Sequence, residues 1–304
     1  NNQTLSAGEW FVALAGPGFD DHAFVPHAAA RGAAGVIVER PPAKGLDVPA
    51  VVVEDTWRAL RDLGTAARRR FTGPVVAVTG STGKTTTRAL VALALSPLGE
   101  VHQTPANQNS EPSVPLILLS CPHDAAAQVI ELGAHRPGDI ERLAGVVEPD
   151  IRLIVNVGPA HLEHLGDMDG VAREKGALFA TARPGDLCVV NVDDPYVAAM
   201  PVPHGARRVT FGANGDVELL QAQLHPQTLT ISALWRTPTG TVSAELPSPA
   251  RFIAEDAAAA LAIAWAKGLD PVSAAAALER YVPVGPRLRQ VRVYPGATIF
   301  DDSF

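Results

Sequence analysis

The sequence predicts an α/β protein: a small N-terminal α/β domain, then a larger domain with a mostly parallel sheet, helices on both faces and an antiparallel hairpin at one side. Short apolar runs alternate with helical segments along most of the chain, which is typical of buried parallel strands. A glycine-rich loop connects one such run directly to a helix. Residues 217–246 differ, because apolar and polar side chains alternate there around a Thr-Pro-Thr-Gly turn.

The N-terminal domain is expected to span residues 1–72. Its apolar runs predict strands, and its longer periodic segments predict helices. The expected strands cover 10–14, 35–38 and 50–53; a short helix closes over 27–31, and a longer one covers 56–70. The turn Phe71-Thr72-Gly73-Pro74 marks the boundary to the larger domain, because glycine and proline interrupt regular structure.

The larger domain is expected to span residues 73–297. Continuous apolar strands separated by helices predict a parallel sheet that is covered on both faces. The expected strands cover 75–79, 127–132, 151–157, 187–192 and 207–211, and the expected helices cover 84–95, 138–147, 169–181, 255–267 and 271–280. The hairpin is expected to pair 229–235 with 241–244.

Composition and charge argue against several function classes. The 304 residues carry a formal net charge of −7, which disfavours nucleic-acid binding and fits a small anionic substrate held by local positive groups. The only cysteines, Cys121 and Cys188, cannot form a disulfide framework or a metal ribbon, so we expect a reducing compartment. No apolar run reaches membrane-spanning length, and no signal peptide is visible. We therefore expect a cytoplasmic monomer without nucleic-acid or membrane partners.

The glycine-rich loop Gly80-Ser81-Thr82-Gly83-Lys84-Thr85 lies between the apolar run 75–79 and a helix that continues through Thr86. Glycines let backbone N–H groups turn toward an anion, and the start of the helix adds unpaired N–H groups and a positive dipole end. Lys84 supplies a charge for a terminal phosphate, and Thr85 supplies a hydroxyl for Mg²⁺.

This loop is typical of a P-loop-type domain, in its short GxxGKT form, because Val78 stands where the longer consensus has glycine. It predicts that the amides of residues 81–86 converge on one anion position at the start of the helix over 84–95, and that the chain binds a nucleoside triphosphate. The alternative is a glycine-rich turn that carries an exposed lysine.

Two further strands end in ionisable residues. Glu131 directly follows Val129-Ile130, and His161 follows the strand predicted to end at Val157. Because ligand sites in open α/β sheets lie beyond the carboxyl ends of the strands, Glu131 and His161 reach the same crevice as the loop if their strands are its neighbours. A carboxylate and an imidazole there suit Mg²⁺ or a bridging water. The alternatives are a Glu131 that caps the following loop and a His161 with a purely structural role.

Lys175 lies on the helix expected after His161. Only four of the 25 basic residues are lysines, so a lysine in this chain indicates a need for its primary amine more strongly than it usually does. By spacing alone, Lys175 is interpreted as a solvated lysine that pairs with a nearby acid.

Several other segments form a recognisable series with the loop. They are FVAL at 11–14, VIELGA at 129–134, NVGPAHLE at 156–163 and FDDSF at 300–304. In order and spacing they resemble the Mur ligase family, the ATP-dependent amide-forming enzymes of peptidoglycan synthesis. The resemblance is closest to the type that adds D-alanyl-D-alanine to UDP-N-acetylmuramoyl-tripeptide, and it covers nearly the whole chain.

The resemblance implies roles for single residues. Lys84 would bind the β- and γ-phosphates of ATP, and Thr85 and Glu131 would hold Mg²⁺. His161 would stand at a second metal with Lys175, which the family carbamylates with CO₂. The implied nucleotide-binding residues are Gly80, Ser81, Thr82, Gly83, Lys84, Thr85, Thr86, Asp256, Arg287 and Asp302, and the implied substrate-binding residues are Asp20, His22, Asn107, Asn109 and Glu111.

Three segments depart from the family pattern. The adenine-side pattern GxHNxxN has Phe252, Ile253 and Asp256 in place of the histidine and both asparagines. The substrate-side loop reads Ser110-Glu111-Pro112-Ser113 where NEIG is usual, and the proline would stiffen it. The uridine-side signature Asp-Ser-Arg corresponds to Asn1-Asn2-Gln3.

The resemblance further implies that residues 298–304 open a third domain, which would deliver the amine substrate and close the site. We therefore expect residues 1–304 alone to lack amide-forming activity. The expected function of the whole enzyme is ADP-forming ligation of D-alanyl-D-alanine to UDP-N-acetylmuramoyl-tripeptide through an acyl phosphate. The alternatives are another Mur ligase or a folylpolyglutamate-synthase-like ligase, and a non-catalytic nucleotide-binding relative.

Overall fold

The computed structural model describes residues 5–44, 46–285, 289–294 and 297–301. It divides into two compact units, Asn1–Ala67 and Arg68–Phe304. The division falls inside a helix, shortly before the boundary predicted at 72/73. The domain limits at 72 and 297 stay predictions, because compactness alone does not show which part folds independently.

The first unit is a small α/β structure, as the sequence predicts. In chain order its elements are β1 (Trp10–Val12), β2 (Ala15–Gly16), β3 (Phe19–Asp20), α1 (Val25–Ala30), β4 (Gly35–Val38), β5 (Ala50–Val52) and the start of α2 (Thr56–Arg70). A parallel sheet has the order β1-β4-β5, and β2 pairs antiparallel with β3. Its core packs Phe11, Val36 and Val38 of the sheet with Val25 and Ala28 of α1.

The second unit contains the larger set of elements. In chain order they are β6 (Val75–Thr79), α3 (Lys84–Leu95), β7 (Val101–Gln103), α4 (Ser113–Leu119), β8 (Ala127–Glu131), α5 (Asp139–Val147), β9 (Ile151–Ile154), α6 (Leu162–Leu165), α7 (Met168–Ala180), β10 (Leu187–Asn191), α8 (Pro195–Ala199), β11 (Arg207–Phe211), β12 (Glu218–His225), β13 (Thr230–Thr237), β14 (Gly240–Leu246), α9 (Arg251–Ala266), α10 (Pro271–Leu278), β15 (Arg289–Tyr294) and β16 (Ala297–Asp301). Within the described ranges, no helix has the length and apolar character needed to cross a membrane.

A six-stranded parallel sheet with the order β11-β10-β9-β6-β8-β7 forms the centre of the second unit. Strand β6 lies between β8 and β9, so the chain builds first on one side of β6 and later on the other. Such a change of direction opens a crevice beyond the carboxyl ends of the strands. The register pairs Val78 with Glu131 and Thr79 with Ile154, so these three strands end at the mouth of the crevice.

The central sheet is covered on both faces. Alternate side chains of a strand point to opposite faces, and here both sets are buried. On one face, Val76, Val78 and Leu153 belong to a core cluster that also contains the alanines of α9 and the apolar residues of α3. On the other face, Ala77 and Ile130 are fully buried. The prediction of a doubly covered parallel sheet is therefore confirmed.

The antiparallel region is larger than the predicted hairpin. Strands β13 and β14 form that hairpin, and β12 adds a third strand in a sheet separate from the parallel one. The fully buried Trp235 joins this sheet to α9, because its Nε1–H donates to the Ala254 carbonyl at 2.9 Å. Leu220 and Leu224 of β12 are each 47% exposed. The sequence did not predict β12, because its apolar residues do not mark one buried face.

Other predicted elements are present with changed ends. The strand predicted over 151–157 ends at Ile154, which leaves 155–157 as a loop beside the glycine-rich loop. The helix predicted over 255–267 begins at Arg251, so the altered 250–256 segment forms its first turns. The short elements β7 and α4 were not predicted. Helix α4 begins directly after Pro112. Proline has no backbone N–H, and it is tolerated here because an N–H at the start of a helix has no partner within the helix.

Replacing Trp235 with alanine is expected to lower the free energy of unfolding by about 3–5 kcal/mol, the usual cost of truncating a buried aromatic side chain. The variant loses both the packing of the indole and its hydrogen bond to Ala254. Urea-induced unfolding followed by circular dichroism measures the change. Leu224→Ala is the control in the same sheet and should cost less than about 1 kcal/mol. An equal loss of unfolding free energy in the two variants would contradict the core position of Trp235.

Candidate active site

The glycine-rich loop lies beyond the carboxyl end of β6 and leads directly into α3. Gly83 is the N-cap of α3 and has φ = 74°, in the left-handed region that favours glycine. A Cβ on Gly80 would lie 3.0 Å from the Val155 Cβ, so any side chain there would require Val155 to shift by a few tenths of an ångström. The first-turn N–H groups of α3 have no acceptor within their own helix, so this helix end offers an anion-binding site.

The side chain of Asn156 fixes the first half of the loop. Its Oδ1 accepts hydrogen bonds from the N–H groups of Ser81 and Thr82, both at 3.0 Å. The prediction that all amides of residues 81–86 converge on one anion is therefore wrong for Ser81 and Thr82, whose amides already bind Asn156. Sequence reasoning gave Asn156 no role. Its position after a central strand, level with the loop, is the signal that could have identified it.

Lys84 folds back over the loop. Its Nζ donates to the Gly80 carbonyl at 3.0 Å and to the Ser81 carbonyl at 3.3 Å. The residue is half-buried, so the alternative of an exposed lysine on a simple turn is wrong. The ammonium group is thereby placed at the loop before any ligand binds.

Glu131 is a buried carboxylate, 1% exposed, that joins three parts of the second unit. Its Oε2 accepts a hydrogen bond from Thr85 Oγ1 at 2.9 Å, and its Oε1 accepts one from Asn109 Nδ2 at 2.7 Å. Arg88 Nε lies 3.6 Å from Oε2, so a buried cation offsets the charge. The alternative of a carboxylate that only caps the following loop is therefore wrong.

Arg88 was not predicted as a site residue. It is 2% exposed, and its guanidinium donates to the Gln103 side chain at 2.7 Å and to the Thr104 carbonyl. It therefore anchors the segment after β7 while it faces Glu131. An arginine that directly precedes the apolar run 89–95 of α3 is the signal that could have found it, because a buried cation requires a partner.

Thr85 and Glu131 offer the oxygen donors that Mg²⁺ prefers, a hydroxyl and a carboxylate that already lie 2.9 Å apart. Mg²⁺ commonly takes one or two protein carboxylates and completes its shell with waters and phosphate oxygens, so this pair fits an ion shared with a nucleotide. Over the described residues, no group of three or more His, Cys, Asp and Glu side chains is arranged to hold a metal ion. Unmodified Lys175 does not fit a cation, because an ammonium group has no lone pair.

Lys175 lies on α7 and is only 3% exposed, so its interpretation as a solvated lysine is wrong. It lines the same cavity as Glu131 and His161. Burial lowers the pKa of the Lys175 amine to about 8; the positive charge of Lys84 acts in the same direction, and Glu174 opposes it. At pH 7, roughly a tenth of the amine is therefore uncharged and nucleophilic, far more than for a lysine with the ordinary pKa of 10.5.

His161 stands at the cavity beside a second histidine that was not predicted. The ring centroids of His161 and His135 lie 4.5 Å apart, with an interplanar angle of 70°. The His161 side chain is 37% exposed, which argues against a purely structural histidine. Partial burial lowers the pKa of His161, His135 lowers it as well, and Glu163 opposes both. His161 is therefore a neutral imidazole at physiological pH, with a lone pair available.

Asp20 and His22 lie in the first unit and bind each other. His22 Nε2 accepts a hydrogen bond from the Glu39 N–H at 2.8 Å, so Nδ1 carries the proton and donates to Asp20 Oδ1 at 2.7 Å. Hydrogen bonds from Arg40 and from His22 lower the pKa of Asp20 to about 2. Both ring nitrogens of His22 are thus used within the protein, which favours a structural role. The substrate-binding role of this pair stays a prediction.

The remaining predicted site residues are distributed as follows. Asn107 and Asn109 line the cavity together with the loop residues Gly80 to Thr86. Glu111 is half-buried before α4 and does not line that cavity. Arg287 and Asp302 lie outside the described residues, as do Asn1, Asn2 and Gln3.

Asp256 of α9 lies against the loop. Its carboxylate oxygens are 3.4 and 3.7 Å from the position that a Cβ on Gly83 would take. Burial raises the pKa of Asp256 to about 7, and a hydrogen bond with Thr87 opposes the rise. The cavity has a volume of about 1210 Å³ and extends from the loop past Asp256 to Phe211 and Phe252.

Comparison with known proteins identifies the family. A family profile described as "Mur ligase middle domain" matches residues 78–264. A protein from Escherichia coli (strain K12), named UDP-N-acetylmuramoyl-tripeptide--D-alanyl-D-alanine ligase, is 33% identical over 308 residues; the match covers all of this chain and 67% of that protein. The chain belongs to the Mur ligase family.

Solved Mur ligase structures share this fold. A crystal structure of MurF from Acinetobacter baumannii matches with a TM-score of 0.92 at 31% identity, over all of this chain and 66% of that one. MurF ligase from Thermotoga maritima, in complex with ADP, matches with a TM-score of 0.85 at 29% identity, over all of this chain and 70% of that one. This Mur ligase chain thus spans about two thirds of the length of the relatives it matches.

Asp256→Asn is expected to stabilise this Mur ligase chain more at pH 8 than at pH 5. The pKa of Asp256 is raised from 3.8 to about 7, so between these values the folded chain keeps a proton that the unfolded chain has released. The stability that this proton contributes is fully present below the unfolded-state pKa of 3.8. It is lost as pH rises through the folded-state pKa of about 7. Because the carboxyl group is partly exposed, we expect a difference of about 1–2 kcal/mol.

Urea-induced unfolding of the wild type and the Asp256→Asn variant at the two pH values measures this effect. Asp124→Asn, at an exposed carboxylate, serves as the control. A stability gain of the same size at both pH values would contradict the raised pKa of Asp256.

Proposed function

We propose that this chain forms the nucleotide- and acyl-phosphate-handling part of an ATP-dependent ligase that joins D-alanyl-D-alanine to UDP-N-acetylmuramoyl-tripeptide. The observation that carries the proposal is a single cavity, lined by the glycine-rich loop, the Thr85–Glu131 pair and the buried amine of Lys175. The name of the E. coli relative supports this choice of substrates. The ADP in the T. maritima relative supports the nucleotide.

In the first step, a carboxylate oxygen of the muramoyl tripeptide attacks the γ-phosphorus of ATP. The bond between that phosphorus and the β–γ bridging oxygen breaks, ADP leaves with the electron pair, and an acyl phosphate forms. Lys84 and the first-turn amides of α3 bind the phosphate oxygens and offset the repulsion between the two anionic reactants. Thr85 and Glu131 would hold Mg²⁺, which would supply further positive charge at the phosphates when bound.

In the second step, the amine of D-alanyl-D-alanine attacks the acyl carbon. A carbon–nitrogen bond forms, the carbon–oxygen bond to the phosphate breaks with its electron pair leaving on inorganic phosphate, and the nitrogen releases a proton. The acyl phosphate must be kept from water until the amine arrives. Glu131 and Lys175 line the buried side of the cavity, 1% and 3% exposed, and limit access of water there.

Lys175 carries a carbamate in this proposal. Its neutral amine attacks the carbon of CO₂ and releases a proton to solvent, which leaves a carbamate whose single negative charge is shared by two oxygen donors. The modification removes a buried positive charge close to Lys84 and provides oxygens that can orient a metal ion beside the reacting phosphate. Arginine could not replace lysine here, because its guanidinium stays protonated.

Product formation distinguishes a ligase from a non-catalytic relative. The natural full-length protein is incubated with ATP, Mg²⁺ and UDP-N-acetylmuramoyl-tripeptide, with and without D-alanyl-D-alanine. The proposal expects ADP release that requires D-alanyl-D-alanine, together with the pentapeptide product by mass spectrometry. Nucleotide binding without turnover would favour the non-catalytic relative. Turnover of a different acid and amine pair would assign the chain to another ligase type.

Lys175→Ala in the full-length protein is expected to lower the ligation rate by about 100- to 1000-fold, the range found when a charge-stabilising group is removed from a reaction centre. Short carboxylic acids should restore part of the rate, because they place a carboxylate in the vacated space, whereas bicarbonate should not. ADP release under saturating substrates provides the measurement.

Two lysine variants serve as controls for this prediction. Lys175→Arg keeps the positive charge but cannot form a carbamate, so it should be as inactive as the alanine variant. Lys267→Ala removes an exposed lysine at the end of α9 and should keep the wild-type rate. Full activity of Lys175→Arg would refute the carbamate.

A further inference from the structure

Helix α7 buries two consecutive charged side chains, Glu174 and Lys175, which are 6% and 3% exposed. Neighbouring residues of an α-helix project about 100° apart around its axis, so the two side chains face different surroundings. Lys175 lines the cavity at the glycine-rich loop. Glu174 instead binds the start of α5, a helix that packs against α7. A buried carboxylate requires partners for its charge and for its oxygens, and Glu174 finds them in α5.

The Glu174 carboxylate caps α5 from outside that helix. Its Oε2 accepts a hydrogen bond from the Gly138 N–H at 2.6 Å, and its Oε1 accepts one from the Ile140 N–H at 2.8 Å. The first N–H groups of a helix have no acceptor within it, and that helix end carries a partial positive charge. The N-cap residue, Gly138, has no side chain that could bind them. A serine or aspartate at the N-cap would stabilise α5 alone, whereas Glu174 also joins α5 to α7.

The start of α5 also holds the segment that leads from Glu131 along the cavity. Asp139 Oδ2 accepts hydrogen bonds from the His135 N–H at 2.9 Å and from the Arg136 N–H at 2.8 Å. The side chain of His135 lines the cavity. The two hydrogen bonds of Glu174 therefore connect one wall of the cavity, which follows β8, to the helix that forms another wall.

We propose that Glu174 is a positioning residue for Lys175. This inference rests on the proposed function, in which Lys175 carries a carbamate. The two hydrogen bonds to α5 fix the rotation of α7 about its axis, and hence the direction in which the next side chain leaves the helix. Without them, Lys175 still reaches the cavity, but its carbamate is not held at one position relative to Glu131. A displacement of about 1 Å at a reaction centre can lower the rate about 100-fold.

Steady-state ligation by the natural full-length protein tests the inference. Glu174→Ala should lower kcat by about 10- to 100-fold, the usual effect of removing a group that orients a ligand of a metal centre. The KM for ATP should change by less than about 2-fold, because the loop is not disturbed. Glu174→Gln keeps an acceptor oxygen and should lose less activity. Glu141→Ala removes an exposed acid from the first turn of α5 and, as the matched control, should keep the wild-type rate.

A double-mutant cycle separates positioning from a role in the fold alone. In Lys175→Ala supplied with a short carboxylic acid, the carboxylate is no longer attached to α7, so adding Glu174→Ala should not lower the rate further. If no acid restores the rate, the comparison uses the residual activity of Lys175→Ala. If Glu174→Ala does not fold, Glu174→Gln takes its place in the cycle. The same fold-loss in both backgrounds would overturn the inference, because Glu174 would then act independently of Lys175.

Crystal structures provide a readout that does not depend on turnover. In Glu174→Ala, the Lys175 backbone should shift by about 1 Å relative to Glu131, whereas Glu141→Ala should leave it in place. Wild-type turnover in Glu174→Ala, or slow turnover with an unmoved α7, overturns the positioning role. If the wild type forms no ligation product, the proposed function fails, and this inference fails with it. If the wild type ligates and the cycle is additive, this inference alone fails.

Discussion

The candidate site depends on one constraint: the buried carboxylate of Glu131 needs partners for its charge and for its hydrogen bonds. A carboxylate that is 1% exposed is tolerated only if both its charge and its lone pairs are matched. Thr85 and Arg88 provide partners from α3, and Asn109 provides one from the segment before α4. These contacts fix the end of β8, the start of α3 and the Asn109 segment relative to one another. The loop and its expected metal ligand are therefore positioned before a nucleotide arrives, as electrostatic preorganisation requires.

The charges around this carboxylate suit an anionic ligand. The chain carries a net charge of −7, yet the cavity contains Lys84 over the loop and the buried Lys175. Lys84 contributes to the low pKa of Lys175, so the two amines interact unfavourably while both are charged. A bound triphosphate or a carbamate on Lys175 relieves that repulsion. Partial burial and His135, with smaller contributions from Lys175 and Lys84, lower the pKa of His161. Burial raises the pKa of Asp256 beside the loop to about 7. The two amines at the loop thus favour the negative charge that a ligand brings.

The sequence predicts those parts of the molecule whose signals are local. Glycine spacing between an apolar run and a helix indicates the phosphate loop, and continuous apolar runs indicate the parallel sheet. Contacts between distant residues carry no such signal: Asn156 reaches Ser81 and Thr82 across 75 and 74 positions, and Arg88 meets Glu131 only in the folded chain. Motif similarity assigns His22 to substrate binding, although both of its ring nitrogens are engaged within the first unit. Strand β12 was missed because its packing on α9, rather than its own pattern, determines it.

The central claim is that Thr85 and Glu131 hold a divalent cation against phosphates bound at the loop. A crystal structure of the protein with Mn²⁺ and a non-hydrolysable ATP analogue, phased with anomalous scattering from manganese, tests it most directly. The account predicts an anomalous peak bonded to Thr85 Oγ1 and to the Glu131 carboxylate, with the terminal phosphates on Lys84 and the first turn of α3. Phosphates bound away from the loop, or a manganese peak remote from Thr85 and Glu131, would contradict it.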